Sequence, residues 1–233
     1  MSALKNVKIA NPKYDEIIPS TKTRIQIEPF KVGDEKVLLM ASESKDPRQM
    51  TSSLKQVIRN CCEGVDPEEL TSYDLEYLFL KLRSVSVGEI AEIGVKCLHC
   101  EVTNQIEVDL TKVEVKQNDS HDDTIKINDD LVFRMKDPDL DEIAKIDQDD
   151  VESLMTLICS SVDTVFYGQE SIKIGPAEHE DLKGIIDQLT TTQFQKVQEF
   201  FTTLPKLSQH ISFKCGECQG QNDQTLEGLA AFF

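Results

Sequence analysis

The sequence predicts an α+β fold in which helices pack around small antiparallel hairpins. Three observations predict it. Apolar residues recur at helical spacing in some segments and alternate with period two in others. Asp-Pro and Thr/Ser positions punctuate the boundaries between them. Two CxxC pairs, Cys97/Cys100 and Cys215/Cys218, each follow a strand-like segment, so two of the hairpins are predicted to meet at a zinc-ribbon-like site of four cysteines.

Taken in order, Thr23 to Glu28 alternates and reads as a strand with Ile25 and Ile27 on its buried face. A helix follows over residues 34–40. Asp46-Pro47 starts the next one: the Asp side chain can accept from free N–H groups of the first turn, where proline has no needed donor to lose. Met50, Leu54, Val57, Ile58 and Cys61 mark its apolar face. Asp66-Pro67 opens a short turn by the same device. Ser72 is the predicted cap of a helix striped with Leu75, Leu78, Phe79 and Leu82. After Gly88 the period becomes two through Ile90 to Val95, and alternation resumes at Val102, Ile106, Val108 and Leu110, giving a hairpin with Cys97-Leu98-His99-Cys100 near its tip.

Residues 114–123 are polar and acidic and read as a linker or exposed loop. They divide the chain into a strand-helix-hairpin region, residues 1–113, holding the first CxxC, and a mainly helical region, residues 114–233, ending in the second CxxC hairpin. A hairpin of 124–127 and 131–135 opens the second region. Asp137-Pro138 then starts a helix, and Val151, Leu154, Met155, Ile158, Cys159 and Val162 stripe the next. Leu182, Ile185, Ile186 and Leu189 mark a third. Phe194, Val197, Phe200 and Phe201 mark a fourth, capped near Thr191 or Thr192 and ended by Pro205. Strand alternation returns at His210 to Lys214. Both halves thus run from a strand through helices into a strand ending in a CxxC turn, with Lys96-Cys97 matching Lys214-Cys215, although residues outside the turns align poorly.

The net charge is −17, and residues 101–150 hold 16 acidic against 6 basic side chains, a local net of −10. Such a field repels phosphate backbones, which argues against direct nucleic-acid binding and for basic protein partners or a solvated surface. No stretch approaches the ~20 apolar residues of a membrane span, and Met1 to Asn6 lacks the apolar core of a leader. Seven cysteines without a leader fit a reducing compartment.

Thiolates at CxxC spacing supply two ligands at the right bite for zinc, and two such turns complete a tetrahedron. Gly216 and Gly220 are expected to give the second turn its backbone freedom. A thioredoxin-like pair places its first thiol at a helix N-terminus, and neither pair here has a clear helix after it. Haem attachment needs CxxCH, but Glu101 follows Cys100. Asp137, Asp139 and Asp141 begin like a calcium loop, yet Glu142 and Gln148 stand where glycine and glutamate are required. His121 lies in a loop too polar to be expected to form a pocket, and His179 and His210 show no ligand spacing. There is no phosphate loop, GxGxxG, GxSxG or HExxH.

Several segments carry a likeness: Pro12 to Thr21, Ile27-Glu28-Pro29-Phe30, Glu35 to Ala41, Asp74 to Ser84 with Ser86 to Glu89, Phe200-Phe201 with Leu204 to Leu207, and Leu226 to Leu229 with Phe232-Phe233. Together they resemble the baseplate hub protein family of T-even-type contractile-tailed phages over nearly the whole chain. The resemblance implies a non-enzymatic tail protein, a minor hub component or a hub assembly factor. It would bind other hub or tail proteins in the host cytoplasm during assembly, and be found in the virion baseplate if it stays. Its contacts would draw on apolar helix faces such as Leu75 to Leu82 or Phe194 to Phe201 if any remain exposed, although core packing is the expected fate of both stripes. The structural zinc site rests on this sequence's own spacing. A CxxC-dependent thiol redox enzyme and a zinc-ribbon adaptor of host transcription are the rival readings.

Overall fold

The computed structural model describes residues 9–146 and 150–232. Met1 to Asn6, Gln148 and Phe233, used above, lie outside them. Seven helices and eleven strands, the strands in small antiparallel sheets, stand among the described residues.

Strands β1 (Tyr14–Ile17) and β2 (Arg24–Ile27) form a hairpin followed by α1 (Val32–Ser44), α2 (Pro47–Cys61) and α3 (Ser72–Ser86). Asp46 accepts from the Arg48 N–H as predicted for α2. The cap of α3 is Thr71 rather than Ser72, because Thr71 and Asp74 bond to each other's backbone N–H in a capping box. Ile25, Ile27, Val57, Ile58, Leu75, Leu78 and Leu82 bury together. The Leu75 to Leu82 stripe is therefore core and not a binding face.

The chain continues through β3 (Ile90–Lys96) and β4 (Thr103–Asp109), paired as predicted, and then β5 (Glu114–Lys116). Next come β6 (Thr124–Lys126), β7 (Leu131–Met135), α4 (Leu140–Ile143), α5 (Val151–Ser160), β8 (Val162–Tyr167), β9 (Glu170–Lys173), α6 (His179–Ile186) and α7 (Thr191–Thr203). Strands β6-β7-β8-β9 make one antiparallel sheet, covered by α5, α6 and α7. Phe133, Val165, Leu182, Val197 and Phe200 fill that core, so the Phe194 to Phe201 stripe is turned inward too. The β8–β9 hairpin corrects the mainly helical expectation for this region. The helix expected from Asp137-Pro138 is only the short α4, capped by Asp139.

Last come β10 (Lys206–Lys214) and β11 (Gln221–Glu227), a hairpin whose β10 also pairs with β5. Residues 114–116, expected in a linker, are thus a strand of this sheet. Leu80, Ile93, Val108, Leu110, Leu207, Leu226 and Phe232 form the third core. It takes side chains from both sides of residue 113 and stacks the two cysteine hairpins on α3.

Candidate metal centre

Each CxxC sits in the turn of a two-stranded ribbon. In the first, Cys97 N–H donates to the Val102 carbonyl and Glu101 N–H to the Cys97 carbonyl. In the second, Cys215 N–H donates to the Gly220 carbonyl and Gln219 N–H to the Cys215 carbonyl. The left-handed residue that closes each turn is Glu101 (φ 61°) or Gln219 (φ 59°), directly after the second cysteine. Neither Gly216 nor Gly220 has positive φ, so the freedom expected of them is not what the turn uses. Gly220 matters for another reason. A Cβ there would lie 2.5 Å from Cδ2 of His99, whose ring crosses from the other hairpin and whose Nε2 is 2.8 Å from the Gln221 carbonyl.

The third core brings the two turns face to face. All four Sγ atoms lie within 4.8 Å of one another. Cys97 Sγ is 3.7 Å from Cys218 Sγ, and Cys100 Sγ is 3.7 Å from Cys215 Sγ. Four thiolates each ~2.3 Å from one ion stand about 3.8 Å apart at tetrahedral angles. The spacing therefore suits a tetrahedral ion and is far too long for a disulfide. Cys97 and Cys215 are buried, and Cys100 and Cys218 lie toward the surface.

The thiols differ in their readiness to ionise. Burial opposes ionisation of Cys97, but the N–H groups of His99 and Cys100, the Asn222 amide and the Cys218 thiol outweigh it and hold Cys97 down to about 6. Cys215 is also lowered, by the Cys218 N–H first, against burial. For Cys100 the Val102 N–H favours the thiolate, yet burial and the three neighbouring sulfurs push it up to about 12. Four thiolates this close need a cation to coexist.

Two asparagines complete the site. The Asn104 amide, on β4, reaches Cys215 Sγ and the Gly216 N–H, while the Asn222 amide, on β11, reaches Cys97 Sγ and the Leu98 N–H. Sequence reasoning missed both, although C-x-x-C-x-x-x-N occurs at each turn.

The profile of the family described as T4 bacteriophage base plate protein matches residues 10–233. The chain belongs to this family. No curated protein and no solved structure matches it. Membership in a base plate family implies a place in the phage tail and interaction with other tail proteins. No helix among its described residues is long and apolar enough to cross a membrane.

Elsewhere in this base plate protein, Glu68, Asp139 and Asp141 also cluster at ligand distance. Lys55 Nζ already fills that cluster, 2.7 Å from Glu68, 3.3 Å from Asp139 and 2.5 Å from Asp141. Burial disfavours the Lys55 charge, but these carboxylates outweigh it and raise its pKa. Asp139 and Asp141 thus serve a cap and an ion pair. His121, expected outside any pocket, lines a cleft of about 850 Å³ with Asp122, Asp123 and Asp137. Its Nδ1 is 3.0 Å from Thr203 Oγ1 and its ring lies 5.1 Å from that of Phe200.

Proposed function

We propose that this base plate protein is a non-enzymatic baseplate hub component or hub assembly factor that acts by binding other tail proteins, braced by one structural zinc ion. The observation that carries the reading is the family match over residues 10–233. It acts in the host cytoplasm while the baseplate is being built, and in the virion baseplate if it is retained. Partner contacts have exposed apolar side chains to draw on, Val32, Leu39 and Met40 of α1 among them. The acid-rich middle steers basic partners.

Cys97, Cys100, Cys215 and Cys218 would hold the zinc. Their sulfur spacing and free thiols support this. A bound ion supplies a cross-link between two distant parts of the chain and the positive charge that lets all four thiolates form. A thiol redox role has less support, since a β-strand and not a helix follows each pair.

Two measurements test the reading. Protein purified anaerobically should contain close to one zinc per chain, and Cys97→Ser should abolish it. Co-expression with the other tail proteins and affinity purification should recover at least one of them. Metal-free protein that reduces disulfides would overturn the zinc reading in favour of a redox enzyme. Co-purification with host polymerase and with no tail protein would overturn the hub reading.

A further inference from the structure

The two halves of the cysteine site correspond bond for bond. Asn104 Nδ2 donates to the Val102 carbonyl of its own turn and to Cys215 Sγ of the other at 3.0 and 3.6 Å, while its Oδ1 accepts from the Gly216 N–H at 2.9 Å. Asn222 Nδ2 donates to the Gly220 carbonyl of its own turn and to Cys97 Sγ of the other at 3.0 and 3.4 Å, while its Oδ1 accepts from the Leu98 N–H at 2.8 Å. In both halves the partners are one carbonyl two residues past the second cysteine, the first cysteine of the opposite pair, and the N–H just after that cysteine. The amide orientation is fixed by these partners, because an N–H can only donate and a carbonyl can only accept.

The elements around the turns repeat as well. A helix with a threonine capping box (α3 from Thr71, α7 from Thr190) leads into each hairpin, and a 3₁₀ turn (Leu110–Lys112, Leu229–Phe232) follows it. Asn222 is wholly buried, and both its N–H groups and its oxygen are used. Few other side chains could fill the place: Asp has no donor, Gln is a carbon longer, and Ser or Thr cannot span the two turns.

Resting on the zinc reading above, we propose that Asn104 and Asn222 are positioning residues for the metal, each fastening the cysteine turn of the opposite hairpin. The ion is then held by two incomplete half-sites that complete one another. The amide N–H bonds fall on the two buried sulfurs, Cys97 and Cys215, where they offset thiolate charge that water cannot reach. Groups that orient metal ligands in this way contribute roughly 10–100-fold to affinity.

The test uses the full chain, with Asn104→Asp, Asn222→Asp and, as a control, the exposed neighbour variant Gln105→Ala. Zinc loss to a coloured chelator should be at least about 10-fold faster in either Asn variant and unchanged in Gln105→Ala. Cobalt loading adds a readout that a merely structural role would not move. Without the N–H···S bond the sulfur lone pairs rise in energy, so the thiolate-to-cobalt charge-transfer band should shift to longer wavelength. Asn104 is only half-buried, so its variant answers the question should Asn222→Asp not fold. Wild-type zinc retention together with an unshifted cobalt band in Asn104→Asp overturns the proposal and leaves the zinc site standing. A wild-type protein that binds neither metal overturns both.

Discussion

Helix α3 carries two acidic residues whose surroundings set opposite outcomes. Asp74 is fully buried and accepts from Ser20 N–H at 3.0 Å, Ser20 Oγ at 2.5 Å and Thr71 Oγ1 at 2.7 Å, tying the β1–β2 loop to the start of α3. Removing it leaves those donors unpaired and breaks the half of the capping box that its carboxylate supplies, so Asp74→Ala should cost about 2–3 kcal/mol in denaturant unfolding. Glu76 is different. Burial raises its pKa, and the single N–H of Leu229, 3.2 Å away, only partly offsets this. A carboxyl whose folded pKa is raised favours folding while protonated, and that advantage is lost as pH rises from its ordinary value through the folded one. At pH 7 its ionised form therefore opposes folding. Glu76→Gln keeps an acceptor for Leu229 and removes the charge, so it should melt higher than wild type at pH 7, with the gap closing near pH 4. A gap independent of pH would show that charge burial is not the cause.

At the scale of elements, what could be read from the sequence was whatever depends on near neighbours. The Asp46-Pro47 cap, the β6–β7 and β3–β4 hairpins and the CxxC turns all appear as anticipated, because caps and tight turns are decided within a few residues. Strand β8 was hidden by its own irregularity. Thr164 pairs with Arg134 but Val162 with Met135, so a bulge at Asp163 places Val162 and Val165 on one face three residues apart, the spacing of a helix. Val162 also extends the stripe of α5. Strand β5 exists only because β10, far along the chain, pairs with it. Asn104 and Asn222 were missed for a similar reason, since each finds its sulfur and its N–H partner on the other hairpin. The same cross-hairpin logic governs Gly220, where a methyl would strike the His99 ring at 2.5 Å. Gly220→Ala should destabilise by about 1–3 kcal/mol through overpacking. His99→Ala in the same chain should recover most of that loss, whereas a backbone cause would leave the double variant no better than the single.

For the whole molecule, the question is which of the three cores the cysteine site supports. The core of β3, β4, β5, β10 and β11 joins strands separated by most of the chain, and the four cysteines lie at the end of its two hairpins. By contrast, the sheet β6-β7-β8-β9 with α5, α6 and α7 closes on segments near one another in sequence and has no cysteine-site residue in it. Loop-closure entropy makes the distant pairing the costlier one to hold, and a metal clip offsets that cost. On the proposed zinc reading, stripping the ion from the reduced protein with a chelator should therefore expose amides of β3, β4, β10 and β11 to hydrogen exchange first, while those of β7 and β8 keep most of their protection. Returning zinc should restore the lost protection. If exchange rises equally in all the sheets, the chain unfolds as one cooperative unit and the ion supports every core. If no sheet responds, the apolar contacts of Leu80, Leu110, Leu207 and Phe232 hold the hairpins together unaided, and the cysteine site owes its geometry to the fold around it.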